Sequence, residues 1–296
     1  MTNMLLLARR NLTIYLRDRT GVFLSFLAAF ILLALYVLFL HQLNADGIVR
    51  ALDEQGLPYS KDDVDYFINC WVFAGIVMVT TVTTSLGALV GYVDDRSTGR
   101  FTEFVVMPVK RWQIVGGYYL SALCSAFGLS SVVLAFGWGL IRVINGQTPS
   151  PLAVLTAWGW TLLCAAGFAA LNCLIITVAS TTGAFVALST ITGTMVGFLA
   201  AAYIPATMIP IHVRNVINVL PFAQAAALLR RSLAGDALLE VSQGSREYAA
   251  ILRESYGFDL QVGSVTLPDW LPVAVLAAII VVCGSLAVWQ LRRRIK

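Results

Sequence analysis

The stretch GYVDDRSTGRFTEFVVMPVKRW, Gly91 to Trp112, puts seven charges between two long apolar runs. Such a strip is out of character for its chain. Of 296 residues, 58% are hydrophobic and 12% charged, where a soluble domain carries about 25% charged residues. The mean hydropathy of +0.80 is equally far from that of a globular domain. The chain therefore reads as an all-α integral membrane protein, and the strip as a polar connection between two of its spans.

Working outward, six apolar runs are long enough to cross about 30 Å of hydrocarbon as helices. They are Val22–Leu40, Phe67–Val93, Ile114–Ile141, Val154–Ala179, Ala184–Ile204 and Leu271–Leu291, and none holds an Asp, Glu, Lys or Arg. Runs this long and continuous exclude a barrel, whose strands alternate. Only Ser180-Thr181-Thr182-Gly183 parts the fourth run from the fifth, so two spans or one bent element both fit. No internal repeat is evident, which leaves an inverted-repeat carrier unsupported. The chain reads as a single transmembrane domain over residues 1–296.

Orientation follows the basic residues. Arg9, Arg10, Arg17 and Arg19, then Arg96, Arg100, Lys110 and Arg111, then Arg292, Arg293, Arg294 and Lys296 all fall on one side of a six-span layout. The short loops opposite hold only Arg50, Lys61 and Arg142. Both termini and residues 94–113 are thus expected in the cytoplasm, with the chain in the plasma or inner membrane. Cations beside spans are no nucleic-acid surface despite the net charge of +4. The five cysteines lie in apolar runs without metal-ligand spacing, so neither disulfides nor a metal site is expected.

Residues Met4 to Arg19 form an amphipathic pattern, with Leu5, Ala8, Leu12 and Leu16 on one stripe and Arg10, Thr13 and Arg17 on the other side. The 1–20 region reads either as a topology anchor or as a lever that touches a cytoplasmic partner. Beyond the fifth span, Pro205, Pro210 and Pro221 break the chain into pieces too short to cross. Residues 205–270 read as an outer segment, re-entrant or interfacial at first and then helical from Ala234 to Ser255.

Within the strip, Asp94 or Asp95 is expected to cap a short helix, Gly99 to allow another backbone close, and Pro108 to end the helix. Arg100 and Glu103 share a face at i,i+3 spacing, and Glu103 reads either as paired and buried or as solvated. These residues carry a resemblance. DDRSTGRFTEFVVMPVKRWQIVGGYYLSAL resembles the cytoplasmic loop of permease subunits of type-2 ATP-binding-cassette exporters. The family pattern of an acidic-Arg pair, Gly, an apolar residue, Glu, and later Pro with basic residues falls on Asp95, Arg96, Gly99, Phe101, Glu103, Pro108, Val109, Lys110 and Arg111. Met107 departs from it, standing where the family often has a small hydroxyl residue.

The resemblance implies that this loop, Arg100 included, is the coupling element docking on a separate ATP-binding subunit, two copies per complex. This chain lacks G-x-x-x-x-G-K-[ST], so ATP and magnesium belong to that partner and no cofactor or catalytic residue is expected here. It implies further that six spans are half a transporter, completed by a second copy or a sister permease, with membrane lipids around it. Its long outer segment resembles drug- and lipid-exporting members more than polysaccharide exporters, so the cargo implied is a drug, lipid or peptide. With no ionisable residue inside the spans, an ion-driven carrier or charge-lined channel has no evident path, and an intramembrane enzyme would need more than His41 and His212. Hydroxyl and small residues suit either helix packing or a mild cavity. Thr81, Thr84, Asn172, Met195 and Phe198 are the expected substrate path, Asn172 either bonding a neighbouring helix or facing the cavity. Pro205, Pro210 and Pro221 are the expected outer gate.

Overall fold

The computed structural model describes residues 2–36, 41–54, 56, 58–100, 109–177, 179, 181–202 and 204–294. The first helix, α1 (Thr2–Arg17), is followed by α2 (Arg19–Leu35), which covers most of the first expected span; residues 37–40 at that span's end lie outside the described residues. Next, α3 (His41–Glu54) occupies a connection in which no helix was expected. The second span is α4 (Lys61–Gly87), which turns at Ala88-Leu89 into α5 (Val90–Ser97). The third and fourth spans are α6 (Arg111–Asn145) and α7 (Pro151–Ile176). Ser150 caps α7 by accepting from Ala153 N–H, and Pro151 sits in its first turn, where a missing donor costs nothing. α7 ends at Ile176, and α8 (Thr182–Leu199) has a cap of its own, Thr181, at its first turn.

The segment after α8 contains a short 3-10 turn (Ala206–Met208), α9 (Ile211–Val219), α10 (Pro221–Leu233), α11 (Gly235–Val241) and α12 (Arg246–Ser255). The single helix expected over Ala234–Ser255 is two helices, because Gln243 and Gly244 both take positive φ, 47° and 80°, and reverse the chain. A two-stranded hairpin, β1 (Gln261–Val262) and β2 (Val265–Thr266), precedes α13 (Leu271–Arg294), the last span. Among the described residues five helical runs are long and apolar enough to cross a membrane: Lys61–Ser97, Arg111–Asn145, Pro151–Ile176, Thr182–Leu199 and Leu271–Gln290.

The core forms around α4, which packs against α2, α3, α6, α7, α8, α10 and α11. Its apolar window is 89% buried, against 17% for α8 and 22% for α13. α4 is therefore the hub, and α8 and α13 present apolar sides to lipid or to another chain. The hydroxyls of Thr80, Thr81, Thr83 and Ser85 on α4 bond carbonyls of the preceding turn, so these side chains satisfy themselves inside the helix.

The amphipathic helix α1 lies along α6. Gly117 makes room for it: a Cβ there would stand 2.7 Å from Leu7 Cβ and 3.4 Å from the Ala8 nitrogen. The buried side of α1 carries Asn11 and Tyr15, with Met4, Leu7 and Ala8 partly covered, whereas Leu5 and Leu16 of the expected stripe are exposed. Apolar residues occur on both sides of α1, so the stripe read from the sequence was rotated from the one that docks.

Candidate functional site

The charged strip begins inside a helix. Neither Asp94 nor Asp95 caps it, since the N-cap of α5 is Leu89 and both carboxylates fall in its last turns. This placement turns Asp95 inward, where it is 3% exposed. Arg10 of α1 grips it with two parallel hydrogen bonds, Nη1 to Oδ2 at 2.7 Å and Nη2 to Oδ1 at 2.9 Å. The Tyr118 hydroxyl of α6 donates to Oδ2 at 2.6 Å. Arg100 approaches Oδ1 at 3.8 Å, but its side chain is 58% exposed, so solvent screens that pair. The bidentate geometry is the strongest form of charge-assisted bond. The Asp95 bonds hold the Arg10 guanidinium above its ordinary pKa despite partial burial.

Neighbouring residues of the strip tie the same end of the molecule together. Arg96 Nη1 donates to the carbonyls of Thr177 and Ala179, at 3.2 and 3.0 Å. These lie just past α7, where a cation meets the negative end of the helix dipole. The Thr177 hydroxyl in turn bonds Gln290 of α13. Gly99 takes φ +77°, and among the described residues nothing stands within 4 Å of where a Cβ would be. It supplies the left-handed residue that ends α5, its N–H returning to the Arg96 carbonyl at 3.3 Å. Lys110 is the N-cap of α6, its backbone N–H donating to Gln113 Oε1 at 3.0 Å, and Arg111 is that helix's first residue. Phe101, Glu103 and Pro108 lie outside the described residues.

Asp95, Arg96, Gly99, Arg100, Lys110 and Arg111 thus stand where α5 ends and α6 begins. Sequence reasoning missed the two partners that fix the first of them. The sequence pattern puts Arg10 on the polar side of α1, and Tyr118 lies within the quoted motif stretch without a role. No spacing rule links residues 10, 95 and 118. Only a packed α1 on α6 brings them together.

The expected path residues divide into two groups. Thr81 and Thr84 on α4 and Asn172 on α7 are buried. Asn172 Nδ2 donates to the Val82 carbonyl at 3.0 Å and to Ser85 Oγ at 2.8 Å, the helix-to-helix alternative. The Thr84 hydroxyl has no partner among the described residues. Met195 and Phe198, at 50% and 59% exposure, lie on the uncovered side of α8.

At the opposite end, each expected gate proline starts a helical piece: Pro205 before the 3-10 turn, Pro210 before α9, and Pro221 in the first turn of α10. α10 inserts among α4, α7 and α13. It carries Arg230, 1% exposed, over the Trp71 indole at 5.1 Å from the ring centroid. Burial pushes Arg230 down to about 9, so it stays cationic at neutral pH. A layer of ion pairs covers this end: Arg231 with Asp269 at 2.9 Å, and Arg253 with Asp259 at 2.8 Å. The Arg253 guanidinium is held above its ordinary pKa chiefly by the Asp259 hydrogen bonds. Trp71 Nε1 donates to the Tyr256 carbonyl at 2.7 Å, fastening the cap to the hub helix.

A family model described as ABC-2 type transporter matches residues 2–233, from α1 through α10. No curated protein matches the chain in sequence. The matched region contains the tied charged end, the hub helix and the proline-broken segment, and so the chain, a multi-pass helical membrane protein, belongs to the ABC-2 type transporter family, as a permease component of an ATP-binding-cassette transporter.

Proposed function

We propose that this chain is half of an exporter of amphipathic or hydrophobic solutes, driven by a separate ATP-binding subunit that docks on the strip following α5. The observation that carries the reading is the Asp95 knot. Because Arg10 and Tyr118 hold one buried carboxylate from α1 and α6, a push on the strip moves α1, α5 and the start of α6 together. Arg96 passes the same push to the turn between α7 and α8. This favours α1 as a lever over a mere anchor.

In this reading both termini and the strip are cytoplasmic, as the basic residues predict, and the membrane is the plasma or inner membrane. Two copies, or this chain and a sister permease, face each other across the uncovered side of α8. Ile191, Met195 and Phe198 make that side apolar, and Thr190 and Thr194 add hydroxyls already bonded to their own helix. The path runs between the α8 faces, suited to a solute without strong charge. Thr81, Thr84 and Asn172, behind it, set how α4 and α7 move. ATP and magnesium stay on the partner, two subunits per complex, and the proline-broken segment is the exit lid.

Copurification with the ATP-binding subunit tests the docking. Substituting both Arg100→Glu and Arg111→Glu is expected to abolish recovery of that subunit while the permease stays folded. Full recovery after both reversals would sink the assignment.

A further inference from the structure

Arg230 is a buried cation without a buried anion. Among the described residues none of the ion pairs at this end includes it. Its Nη2 donates to the carbonyls of Ala200 and Ala201, at 3.1 and 2.5 Å, where α8 ends. The guanidinium lies over Trp71 of α4. Gly257 backs it, since a Cβ at that position would stand 2.6 Å from Nη1. Nε has no partner among the described residues. One side chain thus joins the end of α8, the hub helix, the inserted helix α10 and the turn before the hairpin.

The end of α8 that it holds is itself in an unfavourable conformation. Ala201 takes φ +47°, a region that disfavours residues with a Cβ. Ala202 is seated against α4 so closely that a Cβ on Gly75 would stand 2.9 Å from its own. A strained turn of this kind persists where its surroundings over-determine it, and Arg230 supplies two of the bonds that do so.

Stability does not explain an arginine here. A buried charge is costly to desolvate, and replacing buried ionic groups by apolar side chains of similar size is often neutral or stabilising. What an apolar residue cannot do is make the contact conditional. The guanidinium is satisfied only while the Ala200 and Ala201 carbonyls stay in place; once α8 moves, it needs water. The contact therefore has two arrangements, one dry and bonded, one wet and released.

We propose that Arg230 is a latch: it fixes the outer end of α8 to α10 and α4 in the closed state, and its release by incoming water accompanies opening of the outer end. The latch rests on the transport reading above, and it makes Arg230 a positioning residue, not a contact for the cargo.

Hydrogen exchange in the assembled complex with its ATP-binding subunit tests it, comparing no nucleotide with ATP plus vanadate. In the wild type, amides from Gly197 to Ala202 are expected to exchange slowly without nucleotide and about tenfold faster when trapped, since exchange reports local opening. Arg230→Met is expected to exchange fast in both conditions, erasing most of that difference, while the melting temperature is kept or raised. Arg230→Lys, which keeps the charge but not the fork, is expected to fall between the two and serves should the methionine variant not assemble. A nucleotide response in Arg230→Met and Arg230→Lys equal to the wild type's overturns the latch and leaves the transport reading standing. A wild type with no nucleotide response at all overturns the transport reading, and the latch with it.

Discussion

Each end of this molecule buries an arginine contact, and the two are built on opposite principles. At the charged end, Arg10 meets Asp95 in a bidentate pair, and Tyr118 fills a further lone pair of the carboxylate. At the capped end, Arg230 meets only carbonyl oxygens and an indole face. A neutralised, fully bonded pair behaves as one rigid piece, and breaking it leaves an orphan charge. A lone cation on carbonyls can exchange those partners for water. In the proposed reading the first arrangement transmits displacement between helices and the second lets a boundary open, so that the charged end acts as a joint and the capped end as a seal.

That contrast is open to attack by substitution, measured as unfolding free energy of the purified permease in detergent. Asp95→Ala is expected to do the most damage, about 2–3 kcal/mol, because it leaves the buried Tyr118 hydroxyl without its acceptor and takes the bidentate partner from the partly exposed Arg10; a loss below about 1 kcal/mol would mean the joint is soft. Tyr118→Phe should cost about 1.5–3 kcal/mol, the range of a hydrogen bond to a charged group, and would sharpen the view that α6 belongs to the joint. Asn172→Leu removes the bonds to Val82 and Ser85 and is expected to lose about 1 kcal/mol, the scale of polar contacts between membrane helices. Arg100→Ala, at the exposed edge of the knot, is expected to change stability by about 0–1 kcal/mol. Arg230→Met completes the series: although Arg230 is more buried than Arg10, its replacement should leave stability within about 1 kcal/mol of wild type or raise it. A loss as large as that of Asp95→Ala would show that both ends are held by the same kind of contact.

Much of the fold could be read from the chain because lipid imposes a strict rule on spans. Apolar runs without charge must be helices there, and α4, α6, α7, α8 and α13 follow the expected runs to within a turn or two at most ends. The reading was weaker wherever a segment lay outside that rule. α3 and the hairpin went unpredicted, and α11 and α12 were fused, because short amphipathic pieces there owe their form to contacts with the hub and with each other. The strip stands out by its charges and glycine, yet the left-handed turn that Gly99 supplies is not announced by them. A glycine letter does not distinguish a left-handed turn from a close approach.

What the sequence determined by itself was the membrane class, the long apolar helices and the segment set apart by charge, since these follow from how long apolar runs and ionised groups partition between water and hydrocarbon. What only the tertiary structure decided was the partner of each charge. Asp95 lies 85 residues from Arg10 and 23 from Tyr118, and Arg230 lies 30 from the carbonyl of Ala200. Such pairings depend on which helix faces which, and in a chain with apolar residues on every side that is settled by close packing at positions such as Gly117 and Gly75, not by any periodicity along one helix.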